Sequence, residues 1–340
     1  GSAMAHLKTV LMIAEKPSLS QSISKILSGG NMESVRRGQE VHEWEGVFRG
    51  IPCRFRMTCV IGHVLSIDFP PSYQNWDTTD PLDLFAAPTF KAEANPKARV
   101  CRHLQDEARG CDYLVLWLDC DREGENICFE VMDNTLGWMR RQLGQQVFRA
   151  KFSAISEPEL RQAMSNLGEP NRNEALAVDA RQELDLKVGV AFTRFQTRFF
   201  QGKYGNLDAR VISYGPCQTP TLHFCVERHE IIVQFQPEMY WGLRTTLRHR
   251  GHLLDLRWAR GRVFDIEAAT MFQTLVTEGK RAKVESVRSR EEEKRRPPGL
   301  NTVDLLKVAS SALNMGAHHT MQIAERLYMQ GFISYPRTES

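Results

Sequence analysis

The sequence predicts an α/β fold class, a mainly parallel sheet with helices between its strands, continued by a helical segment and then a β-rich one. Three observations carry this. Thr9 to Ala14 (TVLMIA) and Tyr113 to Leu118 (YLVLWL) are short unbroken apolar runs, as expected of strands buried on both faces. Each leads through a polar turn into a helical stretch: Pro17 and Ser18 open one with Ile23, Ile26 and Leu27 on one side, and another begins at Glu125. Repetition of strand, polar turn and helix is the pattern of a parallel sheet. Polar groups that follow such strands project from the carboxyl edge, where α/β sheets bind ligands.

The pattern turns helical around Gly168-Glu169-Pro170. Leu184, Val188, Ala191, Phe195 and Phe199 recur at spacings of four and three, which predicts one buried stripe. Arg181, Asp185, Arg194 and Arg198 fall on the other face. A β-rich section spans roughly Met239 to Phe264 and carries Arg244, Arg248, Arg250, Arg257, Arg260 and Arg262. The mixed-charge run Glu291 to Arg296, closed by Pro297-Pro298-Gly299, is expected to be a linker. Thr302 is expected to cap one helix, and a second runs from about His318 to Gln330. Gly331 stops that helix and Phe332 to Tyr335 leaves it extended. Gly1-Ser2-Ala3-Met4 looks like a cleaved-tag scar and takes no part in the fold.

The bulk numbers exclude several classes. At 340 residues the chain is too long for one ordinary core, and two or three domains are expected. With 42% hydrophobic and 25% charged residues it has no bias towards disorder. No apolar run approaches the roughly 20 residues of a membrane helix. The net charge of +3 neither requires nor excludes a polyanionic partner, because clustering matters more than the total. Eight cysteines are scattered without a C-x-x-C pair. They are expected to be buried, reduced thiols of an intracellular protein, with no zinc site.

The most informative local feature is Asp119-Cys120-Asp121-Arg122-Glu123, directly after YLVLWL. In extended chain, residues i and i+2 face the same side, so Asp119 and Asp121 can converge on one ion. Few carboxylates plus water and phosphate oxygens suit Mg²⁺. Glu15, ending the first strand, shares that edge if the two strands are neighbours, and Lys16 beside it can meet a phosphate. The competing view is a solvated acidic turn at a helix N-terminus, where Asp and Glu are favoured anyway. The pairing of a strand ending in Glu-Lys with a strand ending in D-x-D-x-E resembles the Toprim fold over residues 8–152. Toprim proteins include primases, nucleases and two classes of topoisomerase, so the rest of the chain must discriminate.

Ile323 to Tyr328 (IAERLY) and Gly331 to Ser340 (GFISYPRTES) resemble the active-site signature of type IA topoisomerases. Pro336 pushes Tyr335 away from helical geometry, and Arg337, two residues on, can hold a phosphate under attack. A phenol is a poor nucleophile near neutral pH and needs a base or nearby cations. Tyr328 is spaced from Met321 and Ala324 as a helix-packing residue. Ser213 to Leu222 (SYGPCQTPTL) resembles a segment of the same family beside its single-strand groove, where Gln218 and Thr219 offer hydrogen bonds. Asp179 to Asp185 (DARQELD) resembles the helix of that groove; taken alone, Arg181 and Asp185 are also an ordinary i,i+4 surface pair. His63, in VIGHVL, matches a family segment and equally suits a core. GPCQTPTL followed by FCVERHE is most like the beta branch of the eukaryotic type III enzymes, the alpha branch usually having Phe at the position of Thr219.

The resemblance implies a multidomain toroid: a Toprim domain over 6–155, the first part of a helical single-strand groove domain over 156–235, the first part of a β-rich arch over 236–296, and the start of the tyrosine domain over 297–340. The remainder is expected beyond Ser340. It further implies that Tyr335 forms a 5′-phosphotyrosyl bond with one strand of DNA, and of RNA for the beta branch. Glu15 serves as proton donor, and Lys16 and Arg337 as charge stabilisers. Asp119 and Asp121, with Glu15, hold Mg²⁺, for which Mn²⁺ can substitute, and Glu123 completes the acidic cluster. ATP is not expected; no G-x-x-x-x-G-K-[ST] loop is present. A Tudor-domain scaffold partner follows from the beta branch alone, whereas a place in nucleus and cytoplasm, away from membranes, is also expected from the reduced cysteines and the lack of a membrane-length apolar run. Two rivals stay open: a Toprim nuclease or primase, and a duplex-binding helix-turn-helix with vestigial acids.

Overall fold

A computed structural model describes residues 7–201, 203–204 and 209–338. Gly1-Ser2-Ala3-Met4, and Glu339 and Ser340 of the SYPRTES run, therefore lie outside the described residues. The strands are β1 Lys8–Ala14, β2 Glu33–Arg37, β3 Gln39–Phe48, β4 Ile51–Cys59, β5 Leu65–Asp68, β6 Phe90–Glu93, β7 Tyr113–Trp117, β8 Val147–Arg149, β9 Arg244–His249 and β10 His252–Arg257. The helices are α1 Pro17–Leu27, α2 Asp83–Ala86, α3 Val100–Ala108, α4 Arg122–Thr135, α5 Glu157–Ser165, α6 Arg172–Phe200, α7 Gln218–Val233, α8 Ile266–Gly279, α9 Thr302–Leu313 and α10 Ala317–Met329. The chain divides into two compact units, Gly1–Pro216 with Pro298–Ser340, and Cys217–Pro297.

In the first unit, alternation along β1 sets the architecture. Val10, Met12 and Ala14 enter one core with Leu19 and Ile23 of α1 and Leu160 and Ala163 of α5. Leu11 and Ile13 enter a second core with Leu104 of α3 and Ile127 and Val131 of α4. Helices thus cover both faces of a six-stranded sheet in the order β2-β3-β4-β1-β7-β8. The four strands β4, β1, β7 and β8 run parallel, with β3 and β2 antiparallel at one edge. β1 pairs directly with β7, Ala14 opposite Trp117. The chain after Ala14 and the chain after Trp117 therefore leave the sheet side by side.

Helix α6 departs from expectation. Its stripe of Leu184, Phe195 and Phe199 is 62%, 55% and 46% exposed, and only Ala191 of that set is buried. The buried line is instead Ala175, Val178, Ala191, Arg194 and Thr197. Periodicity tells which residues share a face; what packs on the helix decides which face is covered. Here α4 and the 69–87 segment grip the face holding Arg194, whose guanidinium donates to the Tyr73 carbonyl at 2.8 Å and lies 5.5 Å from the centre of the Trp76 ring.

Other expectations need smaller corrections. Asn301, not Thr302, caps α9, its side chain accepting from the Asp304 amide. α4 begins at Arg122 rather than Glu125 because Asp121 caps it. All eight cysteines are free; Cys53, Cys59, Cys111 and Cys128 are buried, Cys101 is half-buried, and Cys120, Cys217 and Cys225 are exposed. Cys120 lies in the turn after β7, Cys217 at the N-cap of α7 and Cys225 on α7, none of whose residues is buried. In the second unit the section from Met239 to Phe264 is β-structured as expected, with the hairpin β9–β10 and a bridge between Trp241 and Val263, and α8 follows it. Among the described residues, no helix is long and apolar enough to cross a membrane.

Candidate active site

Because β1 and β7 are neighbours and parallel, Glu15 and the Asp119–Asp121 turn meet at the carboxyl edge. Glu15 accepts a hydrogen bond from the Asp119 amide at 3.1 Å. Burial, and then the charge of Asp119, raise the Glu15 carboxyl to about 7. Asp119 is 2% exposed, and burial likewise raises its carboxyl, Lys16 opposing and Asp121 adding to the rise. Lys16 is the N-cap of α1, where a cation opposes the helix dipole. Its ammonium lies 3.5 Å from Asp119 Oδ2, so a locally unfavourable placement serves the acidic edge.

The turn itself is held from beneath. Arg149, fully buried at the end of β8, pairs with Glu125 of α4 at 2.9 Å. It also donates to the carbonyls of Leu118 at 2.7 Å, Asp119 at 2.9 Å and Ala150 at 3.0 Å. The second oxygen of Glu125 accepts the Asn171 amide at the start of α6. Gly124 is required by space, since a Cβ there would collide with the Asp119 carbonyl.

Tyr335 closes the site from the far end of the sequence. Its hydroxyl donates to Asp121 Oδ2 at 2.6 Å, while Asp121 Oδ1 caps α4 by accepting the Gly124 amide at 2.8 Å. One oxygen of Asp121 thus caps the helix while the other meets the Tyr335 phenol. Burial, then the bond to Asp121, drive the Tyr335 phenol well above its ordinary range, so the proton stays on oxygen until a base takes it. Tyr328 is buried as its helical spacing requires, and its hydroxyl also reaches Asp119 Oδ1 at 3.4 Å. The two phenol rings meet edge to face at 5.3 Å. Lys16, His319, Gln322, Tyr328 and Tyr335 line a recess of about 710 Å³. Arg337 lines another, of about 510 Å³, with Asp121, Arg122 and Lys151, and its guanidinium is 3.1 Å from Glu325.

Glu123 does not join the other acids. It pairs with His63 at 2.9 Å and with Arg181 at 2.7 Å. Arg181 also holds Asp185 at 3.1 Å, so the i,i+4 pair extends to the acidic turn. His63 is clamped on its other nitrogen by buried Glu130 at 3.1 Å; that bond raises its pKa first, against burial. Beside this chain a cavity of about 760 Å³ is lined by His63, Trp76, Gln182, Asp185, Gly189 and Tyr214. Gln218 and Thr219 open α7 in the second unit. Sequence reasoning missed Arg149, Glu125 and Glu130, charged residues whose ion-pair partners lie 24 or more positions away.

The donor set of Glu15, Asp119 and Asp121 consists of hard carboxylate oxygens, the kind Mg²⁺ takes. The carboxyls of Glu15 and Asp119, raised by burial with neighbouring carboxylates adding to the rise, are ones whose charge a divalent cation would relieve. In donor chemistry the residues fit. Their oxygens are turned to protein donors here, and among the described residues no group of three His, Cys, Asp or Glu stands in metal-holding geometry.

A family model described as DNA topoisomerase matches residues 169–340, and a Toprim domain model matches residues 10–155. The chain belongs to the type IA DNA topoisomerase family. This topoisomerase chain is 63% identical to DNA topoisomerase 3-beta of Arabidopsis thaliana, over 99% of its own length and 39% of the relative's. To DNA topoisomerase 3-beta-1 of Homo sapiens the identity is 58%, over 98% and 40%. To the human 3-alpha protein it is 41%, over 99% and 34%, so the beta branch is the nearer one. The chain spans about two fifths of the length of the beta relatives it matches. The fold also matches full-length topoisomerase I of Thermotoga maritima, with a TM-score of 0.62 at 22% identity over 97% of this chain and 49% of that one.

Proposed function

We propose that this chain carries the strand-cutting half of a type IA topoisomerase, in which Tyr335 attacks a backbone phosphate of a single strand. The observation that carries the reading is the Tyr335 phenol, hydrogen-bonded at 2.6 Å to Asp121 on the edge where β1 and β7 end. As the phenol oxygen bonds to phosphorus, its proton passes to Asp121, and the bond to the 3′ oxygen breaks. Glu15, raised to about 7, carries a proton near neutral pH and gives it to the departing 3′ oxygen. Lys16 and Arg337 offset the phosphate charge. One phosphodiester is exchanged for another, so rejoining is the reverse step and no ATP is required.

Asp119 and Asp121, with Glu15, are the residues that would hold Mg²⁺ or Mn²⁺, which supplies positive charge to fix the strand's phosphates for rejoining. Glu123, tied to His63 and Arg181, would instead link the acidic edge to α6. Arg181, Asp185, Gln218 and Thr219 are proposed to contact the strand, which is DNA and, by likeness to the beta branch, RNA. Docking to a Tudor-domain scaffold, action in nucleus and cytoplasm, and the domain bounds 6–155, 156–235, 236–296 and 297–340 belong to the same proposal.

The test uses the full-length protein and a 3′-labelled single-stranded oligonucleotide on a denaturing gel. The label should become covalently attached to protein, and Tyr335→Phe should abolish the adduct while leaving binding within about twofold, since only one hydroxyl is lost. Free cut or extended product without an adduct would favour the nuclease or primase reading.

A further inference from the structure

Tyr335 owes its place to a turn that none of the motifs above includes. Its amide donates to the Ser153 carbonyl at 2.7 Å. Ser153 is in turn held by Glu159 of α5, whose Oε1 accepts both the Ser153 amide at 2.7 Å and the Ser153 hydroxyl at 2.5 Å. The neighbouring residues of the turn, Phe152 and Ile155, belong to the core cluster against which Ile333 and Tyr335 pack. At the other end of the tyrosine segment, a Cβ on Gly331 would stand 2.7 Å from the Ile155 carbonyl.

What α5 forgoes is informative. Ser156-Glu157-Pro158-Glu159 has the spacing of a capping box, in which Ser at the N-cap and Glu three residues later satisfy each other's backbone amides. Ser156 makes no side-chain cap bond. Glu159 reaches past it to Ser153, so a standard helix-end stabilisation is set aside for the turn beneath the tyrosine. Departures of this kind are expected where function competes with local stability. The two bonds from Ser153 also hold the Glu159 carboxyl below its usual range.

We infer that Glu159 and Ser153 form a strut that sets the position of the Tyr335 backbone, and hence of its phenol against Asp121, making Glu159 a positioning residue for strand cleavage. This rests on the reading of Tyr335 as nucleophile. Glu159 touches neither the acids nor the tyrosine ring, so its effect should fall on the chemical step rather than on strand binding.

In the full-length protein, the single-turnover rate constant for adduct formation is measured with Glu159→Ala, Glu159→Gln and Tyr335→Phe. Affinity for the same oligonucleotide is measured with the Glu159 changes placed on Tyr335→Phe. Glu159→Ala should slow adduct formation by about tenfold or more, with affinity within about twofold and the melting midpoint of the Toprim unit little changed. Glu159→Gln keeps an acceptor oxygen and should recover part of the rate; should the alanine variant not fold, the glutamine variant carries the same test. An adduct rate within about twofold of the parent, or a loss that merely follows affinity or unfolding, overturns the strut while leaving the nucleophile intact. An adduct still formed by Tyr335→Phe overturns the nucleophile assignment, and the strut with it.

Discussion

The acidic turn and the tyrosine segment face each other across one hydrogen bond, yet they are held very differently. Asp119 rests on a fully buried arginine, a glycine with no room for a Cβ, and an ion pair tied to the start of α6. Tyr335 rests on one backbone bond to Ser153, on its own bond to Asp121, on packing against the first core with buried Tyr328, and, through Pro336 and Thr338, on bonds with Thr302 that are exposed or half-buried. One half is fixed by fully buried groups beneath it and the other in good part from its exposed side. In the proposed function the two part after cutting, and this asymmetry would let the acids keep their arrangement while the tyrosine moves and returns.

The contrast breaks first at Arg149. Replacing it with Met leaves Glu125 as a buried, unpaired charge and should cost about 3–5 kcal/mol, read from urea unfolding; a loss under about 1 kcal/mol would show that the turn does not depend on it. Gly124→Ala forces a methyl onto the Asp119 carbonyl and should cost about 1–3 kcal/mol by overpacking, read the same way. Gly331→Ala should cost about 1–2 kcal/mol, since its φ of +79° suits no other L-residue well. Here the sharper readout is amide exchange: Tyr335 should lose protection while β7 keeps its own, and equal loss in both would erase the distinction between the halves. The smallest effect is acid-dependent. The Glu159 carboxyl is depressed from 4.5, so its stabilisation is complete above about pH 4.5 and fades as pH falls through the lower folded value. The melting difference between the parent and Glu159→Gln should therefore shrink below that pH and stay constant from there to neutrality.

Much of the acidic half was legible because its signals are local. Two apolar runs announce buried strands, and the residues that end them, Glu15 and Asp119, must share an edge once the strands pair. Tyr335 was legible through its proline and its family signature. Arg149 was not: in VFRAK it looks like any strand arginine, and its meaning comes from carbonyls 30 or more positions away. Glu123 was grouped with the other acids by spacing, whereas the first turn of α4 carries it round towards His63 and Arg181. The α6 stripe failed for a related reason, since apolar periodicity is blind to which neighbour arrives.

Helix α6 has a mechanical side. At 29 residues it is about 43 Å long, and its first turns are pinned to the acidic turn through Asn171 to Glu125 and through Asn126 to Asp179 and the Ala175 carbonyl. Its far half is held as well, by Arg194 on the Tyr73 carbonyl and by Thr197 on the Ile212 amide. A rod held in both halves transmits angle as distance: a tilt of about 2° over that length would displace one hold by about 1.5 Å against the other. Whatever lies along the middle of the rod, where Gln182 and Asp185 line the cavity beside His63 and Arg181 pairs with Glu123, is thereby coupled by stiffness to the carboxylates at its base.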